Sequence, residues 1–437
     1  MILIYSPSLS NRFRYIIQFI FEDVTPQDYD FCSDIQDFTN YIGPKINYSN
    51  ARITSEELYI NSAGLLKSEG ISEIEVPVLK VGNEIRLFPM EESDLKFDVF
   101  AAIFYLISRY EEYLPFERDK HRRFEANQSF AYRNFFLERP VVDEWIILLK
   151  AELSSKYPEL KWEQQKFRFT PTLDIDQVFK IKGKSIFRIG KQLLVALLKF
   201  KFLKVIAILK VYLGLKKDPF DQFENIEGLH RKYNFTAIYF FLFSNKFNRF
   251  DINISTKNKE FRKRIKQVSK TATVGIHPSY HSRYDYRIID EEINTLSNVL
   301  NIPINSSRQH YLKLRFPNTY KSLISLGIAN EYTMGYASMP GFRASTTHSF
   351  RFYDIKHEQL SFLRIHPFCV MDATFITYLK YTEEQAFDSI KILMYNVKRV
   401  NGHFVSLWHN ESFSEQYPWV GWSGLYEKML ILASKED

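Results

Sequence analysis

The 437-residue sequence contains little cysteine, little glycine and no long uncharged apolar run. Its two cysteines, Cys32 and Cys369, lie far apart, so they match no paired metal-ligand spacing and cannot form a disulfide framework. A reducing compartment is therefore favoured over a secreted one. The 15 glycines, with 45% hydrophobic and 25% charged residues, exclude collagen-like and disordered chains. The first residues show no secretory signal pattern, so we expect a cytoplasmic protein.

The most apolar segment, residues 191–217, consists almost entirely of apolar residues and lysine. Four lysines interrupt every uncharged window of about 18 residues, which argues against a transmembrane helix: Lys199, Lys201, Lys204 and Lys210. A basic helix with large apolar side chains is typical of a membrane interface, which predicts peripheral contact with an anionic membrane. The alternative is a helix that packs on a sheet and extends its lysine head groups to water. The net charge of +7 does not indicate nucleic-acid binding, because these lysines alternate with aliphatic residues.

The chain length predicts two domains. We place an N-terminal mixed α+β domain at residues 1–160 and a second domain at 161–437, because a polar stretch near residue 155 precedes a new strand-like run. The first domain has short β-rich runs at Ile2–Tyr5 and Ile74–Leu79, a predicted hairpin turn at Gly82–Asn83, and a predicted amphipathic helix from Phe97. In the second domain, strand-like runs at 235–243, 271–277, 360–368 and 402–409 alternate with helix-length stretches. This alternation indicates a parallel βα architecture, either a barrel or a doubly wound sheet.

A charged cluster follows the predicted helix in the first domain. It allows two interpretations, a solvated face with local ion pairs or an ion-pair network buried at a domain interface. Its members are Arg109, Glu111, Glu112, Asp119, His121, Arg122 and Arg123.

Five residues near predicted strand ends can carry chemistry. Asp174 and Asp176 end the first strand of the second domain, and two carboxylates so close together require a nearby positive charge. His277 and His281 follow another strand. If Pro278 begins a helix, both imidazoles share one face and can bind one cation. His409 ends the last apolar strand, where it suits a general acid. For His409 alone, a partly buried histidine bonded to backbone is the alternative.

In this order, the Asp-x-Asp pair, the HxxxH pair, the Arg segment RQHYL and the strand-terminal histidine resemble the NodB-like polysaccharide deacetylase domain of carbohydrate esterase family 4. The resemblance implies a distorted (β/α) barrel over about 165–437 that carries a divalent metal, usually zinc. It implies Asp176, His277 and His281 as metal ligands. The segments RYEEY, PVVDEW and EYTMGYASMPGFRAS are similar to a subgroup in which a domain of unknown function precedes the deacetylase-like domain.

The resemblance also implies the catalytic residues. Asp174 matches the base, Arg308 the residue that orients it, Tyr311 the residue whose backbone N–H binds the oxyanion, and His409 the acid. The sequence departs from the family pattern at His310, where proline is usual, and from the subgroup pattern at Glu331, where aspartate is usual.

The implied function is a metal-dependent hydrolase that removes N-acetyl groups from an amino sugar in a polysaccharide or glycan precursor. The alternative is a non-catalytic, membrane-peripheral or glycan-binding protein on the same scaffold, which the basic segment, the two departures and the 71 aromatic residues would suit.

Overall fold

The structure is a computed structural model that describes residues 1–245, 247–282 and 285–435. The N-terminal part contains a parallel sheet of order β2-β1-β3-β4 and a separate antiparallel hairpin, β5-β6. Its strands are β1 (Ile2–Tyr5), β2 (Tyr29–Cys32), β3 (Lys45–Ser49), β4 (Leu58–Asn61), β5 (Val78–Val81) and β6 (Glu84–Leu87). Its helices are α1 (Asn11–Gln18), α2 (Ile35–Asn40), α3 (Val99–Ile107), α4 (Phe130–Arg133) and α5 (Val141–Lys156).

These elements confirm the strand at Ile2–Tyr5 and the turn at Gly82–Asn83. The strand predicted at Ile74–Leu79 begins only at Val78. Helix α3 is present, and the Asp98 side chain caps it by accepting the N–H of Ala101. The prediction that α3 is amphipathic was wrong, because every residue from Val99 to Ile107 is buried among α1, α5 and β6.

The C-terminal part is built on a large, mostly parallel sheet. Among the described residues the order is β12-β13-β11-β10-β9-β8-β7-β15-β14, and only β12 runs antiparallel to its neighbour. The strands are β7 (Arg168–Ile175), β8 (Ile238–Phe241), β9 (Thr273–Ile276), β10 (Ser306–Ser307), β11 (Asn330–Glu331), β12 (Phe350–Asp354), β13 (Gln359–Ile365), β14 (Val370–Met371) and β15 (His403–His409). The helices are α6 (Ile186–Leu198), α7 (Phe202–Tyr212), α8 (Phe223–Lys232), α9 (Lys259–Val268), α10 (Tyr286–Leu300), α11 (Asn318–Ser325), α12 (Glu383–Arg399) and α13 (Trp422–Ser434).

The sheet confirms the predicted α/β class with parallel strands. No pairing closes β12 onto β14 within the described ranges, so the barrel implied by the resemblance is not confirmed. The sheet instead aligns the carboxyl ends of β7, β8, β9, β10 and β15 along one edge, where open α/β sheets place their binding sites. In this register Asp174 of β7 lies directly beside His409 of β15.

A buried ion-pair network joins the two parts of the chain. Arg343 donates to Glu112 from two nitrogens, at 2.9 Å from Nε and 2.5 Å from Nη2, while Arg109 Nε donates to the same carboxylate at 2.9 Å. All three side chains are nearly inaccessible to solvent. Burial would raise the pKa of Glu112, but Arg343 and Arg109 outweigh it and lower the pKa. For Arg109 and Glu112 the solvated interpretation was wrong, because with Arg343 they form a buried network between the two parts of the chain.

Residues 191–217 form parts of a hairpin of two helices, α6 and α7, rather than one continuous helix. The hairpin buries only a small apolar cluster of its own, formed by Ile181, Ile189, Ile208 and Val211. Most of its remaining large apolar side chains are exposed. The alternative of a helix packed on the sheet therefore does not describe most of this surface. None of the helices in the described residues has an apolar stretch sufficient to cross a bilayer.

Candidate metal centre and catalytic site

Three metal-ligating side chains converge at the carboxyl edge of the large sheet. They are Asp176, just after β7, His277, just after β9, and His310, three residues after β10, and their ligand atoms lie within 4.8 Å of one another. His277 Nε2 is 3.3 Å from Asp176 Oδ1, and His310 Nε2 is 3.4 Å from Asp176 Oδ2. One carboxylate and two imidazoles form a donor set typical of zinc.

Hydrogen bonds fix the orientation of both imidazole rings. His277 Nδ1 lies 2.6 Å from the carbonyl oxygen of Arg308, and His310 Nδ1 lies 2.9 Å from Asp251 Oδ1. A carbonyl can only accept, so His277 carries its proton on Nδ1 and directs the lone pair of Nε2 toward Asp176. Metal-binding histidines generally donate their second ring nitrogen in this way. The pair is therefore oriented as ligands are, although neither ring lies on a regular helix.

Asp176 has the environment expected of a ligand to a cation. Its Oδ1 is buried and accepts no hydrogen bond from the described residues. Buried carboxylate oxygens without a hydrogen-bond partner are rare, because no interaction then replaces the hydrogen bonds lost to water. Burial would lower the pKa of His310, but Asp176 and Asp251 outweigh it and raise the pKa to about 9. The two carboxylates thus favour positive charge at this position, which a divalent cation also supplies.

The structure does not bring His281 to this group. The chain after His277 does not form the predicted helix: residues 277–279 have no regular secondary structure, and His281 is exposed with its ring centroid 5.2 Å from that of Tyr280. Residues four positions apart lie on the same face only in a helix, so the HxxxH spacing does not bring His277 and His281 together here. The third position is taken by His310, the residue noted as a departure from the family pattern. That departure was the signal in the sequence that could have identified it.

The four predicted catalytic residues lie around the cluster. Asp174 is buried, and its Oδ1 accepts from Arg308 Nη1 at 3.0 Å, while its Oδ2 faces His277 Nε2 at 3.7 Å. Arg308 is held by Thr172 Oγ1 at 2.7 Å and by the carbonyl oxygen of Tyr332 at 2.9 Å. The Arg308 guanidinium therefore supplies the positive charge that the Asp-x-Asp pair requires.

Tyr311 lies next to the cluster in a left-handed backbone conformation, with φ of 59°. Such a φ is uncommon for a bulky residue and is found where surrounding structure holds the backbone. Here Arg123, from the N-terminal part, donates to the carbonyl oxygen of Tyr311 at 3.0 Å and to the Tyr378 hydroxyl at 3.1 Å. The N-terminal part therefore helps to shape the site, which the sequence did not indicate.

His409 forms a dyad with a buried aspartate. Its Nδ1 is 2.7 Å from Asp372 Oδ1, its backbone N–H donates to Asp372 Oδ2 at 2.8 Å, and the Ser412 hydroxyl also donates to Oδ2. Burial would lower the pKa of His409, but Asp372, Asp176 and Asp174 raise it well above its ordinary value. The alternative of a histidine bonded only to backbone does not hold, since its ring partner is a carboxylate. Asp372 was given no role in the sequence analysis.

One cavity of about 200 Å³ is lined by the three metal-ligating side chains together with Asp174, Tyr311 and His409. Glu411, which the sequence analysis missed, also lines it, and burial raises the pKa of Glu411 to about 7. Part of the wall is apolar, formed by Leu312, Ala337, Met371 and Leu407. The cavity therefore combines a cation site, an ionisable dyad and a small apolar surface.

Comparisons with known proteins give three findings. Residues 2–158 match a model described as a family of unknown function (DUF7033). The comparison with curated proteins gives no match. Among solved structures, a protein from Mycobacterium smegmatis assigned to the polysaccharide deacetylases is similar at 12% identity and a TM-score of 0.39, over 64% of this chain and 87% of its own.

Two further solved structures are similar to this chain. One is a mutant, with restored enzymatic activity, of a carbohydrate esterase family 4 pseudoenzyme, at 11% identity and a TM-score of 0.31, over 61% of this chain and 62% of its own. The other is a polysaccharide deacetylase from Bacillus cereus, at 12% identity and a TM-score of 0.28, over 60% and 89%. Likenesses at this level do not establish a family for the chain.

Proposed function

We propose that this protein is a metal-dependent hydrolase that removes an N-acetyl group from an amino sugar in a polysaccharide or glycan precursor. The observation that carries the proposal is the convergence of Asp176, His277 and His310 in one cavity with the Asp174–Arg308 pair and the Asp372–His409 dyad. A carboxylate and a histidine on opposite sides of a cation site are what general acid–base hydrolysis requires.

The proposed ligand set is Asp176, His277 and His310, in place of His281. Three protein ligands leave an open position, which is typical of catalytic rather than structural zinc sites. When bound, a divalent cation such as Zn²⁺ supplies the Lewis acidity that favours attack on an amide carbonyl. The unpartnered Oδ1 of Asp176 and the two fixed imidazoles fit such a cation.

Asp174 is the proposed base. Arg308 occupies its Oδ1, which leaves Oδ2 on the side of His277 to accept a proton from the attacking water. The same ion pair fixes the rotation of the Asp174 carboxylate. Arg308 is thus a positioning residue, since it acts through the base.

Tyr311 and His409 have the other two proposed roles. The backbone N–H of Tyr311 donates to the oxyanion, and a preorganised donor of this kind typically contributes a few kcal/mol. His409 protonates the departing amine, and Asp372 holds its ring and favours the imidazolium. The apolar wall of the cavity suits the methyl group of an acetyl substituent.

The proposal is tested by acetate release from N-acetylglucosamine oligomers. We expect turnover by the purified full-length protein, its loss after treatment with a chelator, and its return when Zn²⁺ is added. Binding of the metal and of the oligomer without acetate release would instead favour the non-catalytic glycan-binding alternative.

A further inference from the structure

The α6–α7 hairpin exposes an unusual concentration of apolar side chains. Of the 33 large apolar side chains that are exposed in the described part of the chain, 14 lie between residues 186 and 215. At the tip, where α6 is followed by α7, Phe200 is 80% and Leu203 is 84% accessible. Contiguous apolar surface of this kind generally marks a contact with a partner or a membrane.

The same segment carries a one-sided charge. Residues 177–217 contain 11 of the 58 lysines and arginines and no aspartate or glutamate, so the rest of the chain is net acidic. Lys199, Lys201 and Lys204 flank the apolar tip, and each is exposed. Apolar residues at a tip with lysines around them are typical of segments that insert into the interface of an anionic bilayer.

A basic cavity of about 480 Å³ lies along the hairpin. Its walls include Lys184, Arg188, Lys191 and Lys204. The hydrogen bonds of Lys184 and Arg188 go to neutral groups: Lys184 donates to the side chain of Gln177 at 2.7 Å, and Arg188 to backbone carbonyls. Burial lowers the pKa of Lys184 to about 8; Asp218 opposes this effect, while repulsion by Arg188 adds to it. An anion in the cavity would relieve this repulsion, and a phosphate group suits arginine and lysine donors.

We propose that the hairpin docks on an anionic lipid bilayer, with its apolar tip in the interface and a lipid headgroup phosphate in the basic cavity. A second copy of the chain is the other candidate for covering the apolar surface. Self-association would bring two strongly positive segments together without an acidic counterpart, and like charges oppose such contact. An anionic bilayer would bury the apolar side chains and also neutralise the positive charge.

Docking would hold the candidate metal site close to the lipid surface. Gln177, the partner of Lys184, directly follows Asp176 in the sequence. The proposal does not depend on hydrolytic activity, because its evidence comes from the hairpin and the basic cavity alone.

Co-sedimentation of the full-length protein with vesicles tests the docking. We expect binding to equimolar phosphatidylcholine and phosphatidylglycerol, and little binding to phosphatidylcholine alone. Replacing Lys199, Lys201 and Lys204 together by glutamine should weaken binding on the order of a hundredfold, at about fivefold for each lysine. Lys184→Gln, in the cavity, should weaken it about fivefold.

A matched pair of variants isolates the apolar contribution. Phe200→Ser should reduce binding at least about fivefold, because its ring enters the interface. Phe135→Ser should leave binding unchanged, since Phe135 is 85% exposed and also has a positive φ but lies in the N-terminal part.

Three results would overturn the proposal: equal binding to both vesicle types, equal loss of binding in both phenylalanine variants, or a dimer in solution that Phe200→Ser dissociates without any vesicle binding. Acetate release from soluble oligomers, measured in parallel, reports separately on the proposed hydrolase activity.

Discussion

The candidate site and the α6–α7 hairpin have opposite charge environments, although α6 begins only ten residues after Asp176 of the site. In the site, Asp174 pairs with the buried Arg308, and the partly exposed His409 pairs with the buried Asp372, each at hydrogen-bond distance. In the hairpin, lysines are exposed and no carboxylate lies in the segment. Paired charges in a site fix the geometry of reacting groups, whereas exposed charges of one sign beside apolar surface indicate a binding partner outside the chain.

This contrast predicts that substitutions in the site change chemistry or folding, whereas substitutions on the hairpin surface change neither.

The largest expected effect is that of Asp174→Asn. The amide cannot accept the proton of the attacking water, so acetate release should fall by about 10²- to 10⁴-fold. Single-turnover kinetics with N-acetylglucosamine oligomers measure this, and metal content serves as the control, since Asp174 is not a proposed ligand. Unchanged turnover with full metal content would contradict the role of base.

The buried network between the two parts of the chain should contribute mainly to stability. Glu112→Ala leaves Arg109 and Arg343 buried without their shared carboxylate, so the free energy of unfolding should fall by about 3–5 kcal/mol. Urea unfolding measures the loss, and Glu112→Gln, which keeps hydrogen-bonding capacity, should lose less. Because the pKa of Glu112 is lowered in the folded state, this stabilisation is present near neutral pH and is lost as the pH falls below the ordinary range of a glutamate. A fall of less than about 1 kcal/mol in Glu112→Ala would show that the network is not structural.

A smaller effect is expected for Asp372→Asn. The carboxylate raises the pKa of His409, so its removal lowers that pKa, and the imidazolium is lost at lower pH. The alkaline limb of the pH–rate profile should move down by about one to two pH units, which corresponds to one charge-assisted hydrogen bond. A pH–rate profile whose alkaline limb stays at the same pH as in the wild type would contradict the role of His409 as the general acid.

The smallest effect concerns the hairpin in the absence of lipid. Leu203 is 84% exposed, so Leu203→Ser should change the free energy of unfolding by less than about 0.5 kcal/mol. Urea unfolding of this variant without vesicles checks the value. A loss as large as that of Glu112→Ala would show that the tip packs on the protein and would remove the contrast between the two regions.

The sequence predicted the parallel strands well because apolar runs near Ile238–Phe241, Thr273–Ile276 and His403–His409 are bounded by polar stretches. It also placed Asp174 and His409 at strand ends, which the register then brings side by side. The position at which a strand ends depends on nearby residues, so the local pattern of apolar and polar residues can predict it. The assignment of residues 1–160 and 161–437 to two domains stays a prediction.

The third ligand could not be predicted in the same way. His281 has the right spacing for a helix, but the chain after His277 is not helical, and the choice of His310 depends on the path of the loop after β10. Likewise, the contact of Arg123 with Tyr311 joins residues 188 positions apart. Such contacts arise from tertiary packing between distant parts of the chain, and they produce no periodic pattern in the sequence.

The central claim is the ligand set, and metal content tests it most directly. Zn²⁺ bound per chain should be measured for the wild type, His310→Ala and His281→Ala after equilibration with the same free zinc concentration. We predict one zinc per chain in the wild type and in His281→Ala, and a loss of at least about tenfold in affinity in His310→Ala. Retained zinc in His310→Ala together with lost zinc in His281→Ala would contradict the site described here.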